Sequence, residues 1–245
     1  SRAAATVDEL VIVLGGDLVE HESKHPAQWA QIEISLFDQA IRVVPAIIAR
    51  FVLRMARLFP RVRVRYIPGN HGTVKKSPAH PRTNWDQVAA EVARLMVMGT
   101  DEFPHPGSER IDWPLSESWY VVERIFDWGV LAVHGDQVNG GFGGFPWYGT
   151  GRKANGWIDS IPEPWDYLIF GHFHTPMMVT LNHRIALCNG TAESGDERVR
   201  AELAAAGHPA QRYYVFEAEH GLIADHTVWL AERVPQARRH QGYAA

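Results

Sequence analysis

The 245 residues are 46% hydrophobic and 21% charged, which excludes a solvated disordered chain and gives ample apolar material for one large folded domain. The formal charge of −4 and a pI near 6.3 exclude a global pull toward nucleic acid or anionic membrane, so phosphate binding must come from local basic groups or metal. The single cysteine, Cys188, excludes an internal disulfide and a thiolate-rich structural zinc site. No apolar run approaches the roughly 20 residues of a membrane helix and the first residues lack signal-peptide features, so a soluble cytoplasmic protein is expected.

Residues 11–14 form a short apolar run closed by Gly15-Gly16, the pattern of a strand buried on both faces, with Asp17 at its carboxyl end. Over residues 27–59 the apolar positions recur at helical spacing, and Pro45 is expected to break or kink the stretch into two helices. Residues 61–65 alternate arginine with Val62 and Val64 and predict a second strand that ends in Gly69-Asn70-His71. The strand–helix–strand order implies a parallel pair. A loop holding Lys75, Lys76, His80 and Arg82 precedes a helix over 85–98, with Asn84 as its N-cap.

Residues 101–116 read as irregular, followed by neighbouring strands over 119–125 and 130–133, the second leading into His134-Gly135-Asp136. Residues 139–151 hold six glycines among Phe142, Phe145, Trp147 and Tyr148, which predicts a substrate-facing loop. A buried strand over 165–170 then delivers Gly171-His172-Phe173-His174, and hairpins are predicted around Asn182-His183 and His220-Gly221. Cys188 reads as a buried strand thiol. One domain over 1–233 and a frayed tail over 234–245 are expected.

Asp17, Asn70, His71, His134, His172 and His174 thus fall at the ends of strand-like runs. Divalent cations take carboxylate, amide oxygen and imidazole ligands, and a catalytic site collects them from several strand ends. A carboxylate such as Asp17 has two oxygens and a charge with which to bridge two cations, and Asn70 offers a neutral oxygen. Imidazoles bind metal only when neutral, so activity is expected to fall below about pH 6.5. In an extended segment His172 and His174 would share one side.

These clusters, with Glu20, resemble four of the five blocks of the calcineurin-like metallophosphoesterase superfamily: Gly-Asp-x-x-(Asp/Glu), Gly-Asn-His-(Asp/Glu), His and Gly-His-x-His, in that order. Within it, the phage and bacterial exonuclease-like or phosphodiesterase-like branch is most similar. The resemblance implies a four-layer α-β-β-α sandwich of two mixed sheets, with the site at the strand ends. It implies two divalent cations bridged by Asp17, manganese first and zinc, iron, nickel or magnesium as alternatives. Asn70, His134 and His172 would complete one shell, and His174 would ligate the other ion. His71 would touch the scissile phosphate and protonate the leaving oxygen, which makes Asp17, Asn70 and His71 the catalytic set. The implied reaction is hydrolysis of a phosphoester by metal-activated water. A nucleic-acid (DNA or RNA) or nucleotide phosphodiester is the first substrate class, and a phosphomonoester or phosphoprotein the second. The rival from another class is a non-catalytic binding module with a degenerate metal site.

The chain departs from the pattern in three places. The first block, Asp-x-His, occurs nowhere in the 245 residues, so its strand is expected to precede Ser1 in the natural protein. Gly72 stands where the family has a carboxylate that orients the preceding histidine. Glu20 stands where Asp is frequent. Outside the blocks, Asp136 either orients a ligand imidazole or caps a turn. Lys75, Lys76, Arg152 and Lys153 either contact phosphates or are solvated charges. Trp147 and Tyr148 either stack nucleobases or pack as a lid on their own domain.

Overall fold

Glu9–Leu14 forms β1, which pairs in parallel with β2 (Arg61–Tyr66), Glu9 lying opposite Arg61 and Leu14 opposite Tyr66. The computed structural model describes residues 7–24, 32–74, 83–139, 145–193 and 209–231. By contact the chain divides into two units, Ser1–Val122 with Ala132–Gln137, and Glu123–Leu131 with Val138–Ala245.

In the first unit, β3 (Ile111–Asp112) adds in parallel to β2 and gives the order β1-β2-β3. This two-residue strand lies inside the stretch predicted to be irregular, and is too short to show an alternating pattern. Ser35 caps a helical turn, α1 (Leu36–Asp38), by accepting a hydrogen bond from the Asp38 amide. The helical path continues through a π turn, Gln39–Val43, into α2 (Val44–Leu58). Pro45 therefore does not split the segment. Its ring would crowd the carbonyl four residues earlier, and the wider turn before it absorbs that demand. Residues 32–35 are not helical, and 27–31 lie outside the described residues.

Helix α3 (Trp85–Met98) has the predicted bounds, with Asn84 capping it at the Asp86 amide. Ile48, Ala49 and Val52 of α2 and Ala90, Ala93 and Val97 of α3 form one buried cluster with Val62, Val64 and Tyr66 of β2. Val52, Val62 and Val64 are fully buried, each burial stabilising the unit by about 1.5–3 kcal/mol.

The second unit holds most of a five-stranded sheet of order β4-β5-β6-β8-β7: β4 (Tyr120–Ile125), β5 (Trp128–Val133), β6 (Tyr167–Phe170), β7 (Met177–Leu181) and β8 (Arg184–Cys188). β6 and β8 are parallel, and β7 and β8 form the predicted hairpin, with Asn182 at φ 55° in its turn. β9 (Ala210–Glu217) and β10 (Gly221–Trp229) form the second hairpin. Val130, Tyr167 and Leu187 are buried with Tyr214, Phe216 and Leu222 packed on them. The chain is thus of the mixed α/β class, built on two principal sheets. β5 carries the chain from the second unit back into the first, and His134 follows directly.

The glycine-rich stretch is a loop only in part. Trp147–Ser160 is a helix, α4, that includes Gly149, Gly151 and Gly156. Glycine costs about 1 kcal/mol per residue in a helix, offset here by burial of Thr150, Ala154 and Trp157. At Gly149 the small residue is required, because a Cβ would overlap the Asn139 carbonyl oxygen. Phe142 and the tail over 234–245 lie outside the described residues. Among the described residues no helix is long and apolar enough to cross a membrane.

Candidate functional site

The first unit's site grows from the close approach of two strand ends. After β1 the chain turns at Gly16 (φ 86°), and a Cβ there would sit 2.5 Å from the Gly69 amide nitrogen. A Cβ on Gly69 would in turn overlap the backbone nitrogen and Oδ1 of Asp17. Only glycine at both positions lets the loops after β1 and β2 touch. Asp17 itself lies in the left-handed region, φ 51°, a conformation that costs a non-glycine residue about 1–3 kcal/mol and persists only when its surroundings impose it.

The approach brings three predicted ligands together. His134 Nε2 lies 3.0 Å from Asp17 Oδ2 and 3.0 Å from Asn70 Oδ1. On the other side of the ring, Nδ1 lies 2.8 Å from the Gly15 carbonyl oxygen, to which it must donate. That bond fixes the tautomer: neutral His134 turns an Nε2 lone pair toward two oxygen acceptors. Three acceptors so arranged need a shared positive charge, either a proton on Nε2 or a cation among them. Burial opposes charge on His134, but the hydrogen bond and charge of Asp17 outweigh it and hold its pKa above the usual value. Burial also opposes ionisation of Asp17, and is outweighed by His134 and then His71, so its pKa falls to about 2. The donor set, a carboxylate, an amide oxygen and an imidazole of fixed tautomer, suits a divalent cation.

His71 flanks this cluster. Its amide donates to Asp17 Oδ1 at 2.8 Å, and its Nε2 lies 3.8 Å from Asp17 Oδ2. Nδ1 is hydrogen-bonded to Glu20 Oε2. Burial again works against the charge, but Glu20 and Asp17 together raise the His71 pKa. Gln39, in the π turn, braces Glu20 from both sides: its Oε1 accepts from the Glu20 amide at 2.8 Å and its Nε2 donates to the Glu20 carbonyl at 3.2 Å. Glu20 therefore holds the His71 ring, a contact for which Gly72 has no side chain. Gly72 has no room for a side chain, since a Cβ would lie 2.7 Å from the Asp86 amide nitrogen and overlap Asn84 Oδ1.

Sequence reasoning missed Asp86 and Gln39. Asp86 is buried at the start of α3 and accepts hydrogen bonds from the amides of Asp17 and Gly69. Burial, then the charge of Asp17, raises its pKa to about 6. Its only signal in the sequence is an acidic residue in the first turn after Asn84, which reads as ordinary helix capping. Asp136, two residues after His134, is exposed, and the partial desolvation of its carboxyl raises its pKa against the pull of His134. The His134 ring is oriented by the Gly15 carbonyl.

His172, His174, Trp147, Tyr148, Arg152 and Lys153 belong to the second unit. His172 and His174 sit at φ 66° and 54°, so the segment is a tight left-handed turn, closed by the Phe173 amide on the Gly171 carbonyl at 2.8 Å, and not the extended run expected. Asn189 is a fastener: its Nδ2 donates to Gln211 Oε1 at 2.7 Å and its Oδ1 accepts from the Arg212 amide at 2.9 Å. Phe145 packs edge-on against Trp147 and Phe173, at centroid distances of 5.1 and 5.3 Å, while Trp147 and Tyr148 stay exposed. With Asn139 and Arg152, Phe145, Trp147 and Tyr148 line an open groove of about 450 Å³. Lys153 lies beside Arg152 on α4. Lys75 and Lys76 lie outside the described residues.

No family model matches the chain. Among curated proteins it is similar to the SPbeta prophage-derived uncharacterized protein YonJ of Bacillus subtilis (strain 168), 22% identical over 228 residues, or 89% of this chain and 51% of that one. The chain spans about half the length of the curated relative it matches. Solved structures similar to it include a conserved uncharacterized protein, a predicted phosphoesterase, from Streptococcus pneumoniae TIGR4 (10% identity, TM-score 0.37, covering 89% and 96% of the two chains). Vps29 complexed with zinc from Entamoeba histolytica (13%, 0.44, 89% and 98%) and a novel archaeal phosphodiesterase (12%, 0.38, 90% and 99%) are also similar. At these scores the overlaps carry no weight for the site, whose reading rests on its own residues and on the four sequence blocks.

Proposed function

We propose that this chain is a metal-dependent phosphoesterase acting on a phosphodiester of nucleic-acid or nucleotide type. The observation that carries the reading is the convergence of Asp17 Oδ2, Asn70 Oδ1 and the tautomer-fixed His134 Nε2. Asp17, Asn70 and His134 would hold a cation, and the Gly15 carbonyl keeps the imidazole lone pair turned to it. Bound divalent metal supplies a water of lowered pKa and charge stabilisation for the phosphoryl oxygens. The sequence blocks add His172 and His174 as ligands, a second ion, and manganese as the preferred metal.

His71 serves as the proton donor. Glu20 holds its Nδ1 and favours the imidazolium, leaving an Nε2 proton for the leaving oxygen. Such a histidine–carboxylate pair favours a hydrolase over a binding module, which has no leaving group to protonate. The second unit offers exposed Trp147 and Tyr148 with Arg152 on one helix, which suits a substrate carrying bases and phosphate.

The test is metal content per chain together with manganese-dependent hydrolysis of bis(p-nitrophenyl) phosphate and of p-nitrophenyl phosphate. Bound metal with turnover of the bis-ester supports the proposal. Turnover of the mono-ester alone would move the substrate to a phosphomonoester, and bound metal without turnover of either would leave a binding module.

A further inference from the structure

Asp86 makes more bonds than a helix start needs. It is 1% exposed, and Asn84 already caps α3, its Oδ1 accepting from the Asp86 amide at 2.8 Å. The Asp86 carboxylate turns away to two loops. Oδ2 accepts from the Asp17 amide at 2.8 Å and the Gly69 amide at 2.7 Å, and Oδ1 from the Leu18 amide at 2.9 Å and the Val19 amide at 3.2 Å. Three successive amides, 17 to 19, thus wrap one anion, the geometry of a backbone nest. The same helix start is tied to the second loop by Asn84 Nδ2 on the Gly69 carbonyl at 2.9 Å and by the Trp85 amide on the Gly72 carbonyl at 2.8 Å.

We propose that Asp86 is a positioning residue: one buried carboxylate that holds the Asp17 loop and the Gly69-Asn70-His71 loop at the spacing metal capture requires. The inference rests on the metal-site reading above. Three observations converge on it. Asp17 adopts a left-handed backbone that no glycine excuses, and the three amides on Asp86 impose that conformation. Gly69 meets Asp17 with no space for a Cβ, so the two loops need an attraction to keep them in contact, and Oδ2 bonds one amide from each. The cost of burying an ionised carboxylate next to the charge of Asp17 is accepted at a point where the fold alone does not call for an acid. A neutral amide at this position would present an NH₂ group to amides that also donate, so Asn cannot substitute.

The experiment compares Asp86→Asn with Val97→Ala, a core change on the same helix remote from both loops. Manganese affinity is measured by calorimetry, and amide hydrogen exchange is followed at residues 17–19 and 69. For the folded Asp86→Asn protein the expected result is manganese binding weaker by roughly 10–100-fold, the range typical of groups that hold ligands in place. Loss of protection confined to the two loops should accompany it. Val97→Ala should lower stability and leave both readouts unchanged. Equal loss of affinity in the two variants, or wild-type affinity in Asp86→Asn, overturns the proposal. If Asp86→Asn does not fold, exchange in the wild type decides: the amides of 17–19 and 69 are expected to open together as one protected set, and exchange at free-chain rates overturns the role. A wild type that binds manganese without hydrolysing any ester refutes the hydrolase reading and leaves the Asp86 assignment standing. A wild type with protected amides and no metal affinity refutes the metal site and the positioning role with it.

Discussion

His71 directs Nδ1 to the carboxylate of Glu20, a residue 51 positions earlier in the chain, on the loop that also carries Asp17. The neighbour in sequence, Gly72, is barred from the task because the α3 cap fills the space a side chain would need. If this pair sets the proton donor, Glu20→Gln should lower kcat within the roughly 10²–10⁴-fold that acid–base catalysis contributes. Metal content should stay that of the wild type. The loss should be larger for esters with basic leaving groups than for nitrophenolate, which departs without a proton. An equal loss across leaving groups would remove His71 from the proton-transfer step.

A carboxylate at position 72 should not be tolerated. In Gly72→Asp the new Cβ would press on Asn84 Oδ1 and the Asp86 amide, breaking the cap of α3. A destabilisation of about 1–3 kcal/mol is expected, from overpacking and loss of the cap. Urea unfolding measures it, and a variant as stable as the wild type would show that the loop can yield.

Sequence legibility followed the range of the interactions. Asn84 and the helix it caps were readable because cap and helix are adjacent residues. The strand around Ile12 was readable from its run of consecutive apolar residues, and the strand around Val64 from the alternation of arginine with valine. Asp86 was not, since its partners Asp17 and Leu18 lie 69 and 68 residues away. Glu20 appeared only as a mild departure because its use depends on where His71 lands. Helix α4 hid behind glycines that packing tolerates and propensity does not. The left-handed turn at His172 and His174 hid behind a spacing that suits an extended segment equally well.

The titrating groups give the metal-free protein a characteristic pH response. His134 and His71 have folded pKa values raised above 6.5, so their stabilisation is full below that value and is lost as pH rises through the folded pKa. Asp17, depressed to about 2, contributes above 3.8 and loses its contribution only as pH falls through about 2. Asp86, raised to about 6, binds its proton more tightly when folded, so its contribution also declines as pH rises from 3.8 through about 6. The difference in unfolding free energy between wild type and His134→Ala, measured in chelator, should therefore shrink as pH rises above about 6.5. With saturating manganese the trend should reverse, because the metal needs neutral His134. A metal-free difference that grows with pH would show that His134 is not paired with Asp17 in solution.

Tyr148 separates the substrate classes. It is 83% exposed on α4, so Tyr148→Ala should change stability by no more than about 0.5 kcal/mol. If the exposed aromatics stack bases, the loss per base is about 1–3 kcal/mol, or roughly 5–150-fold in KM for a short oligonucleotide. Hydrolysis of a small ester without bases should keep its KM and kcat. This contrast isolates binding from chemistry, since the substitution lies outside the residues assigned to metal and proton transfer. An unchanged oligonucleotide KM would show that Tyr148 stacks on no base and would weaken the case for a base-bearing substrate.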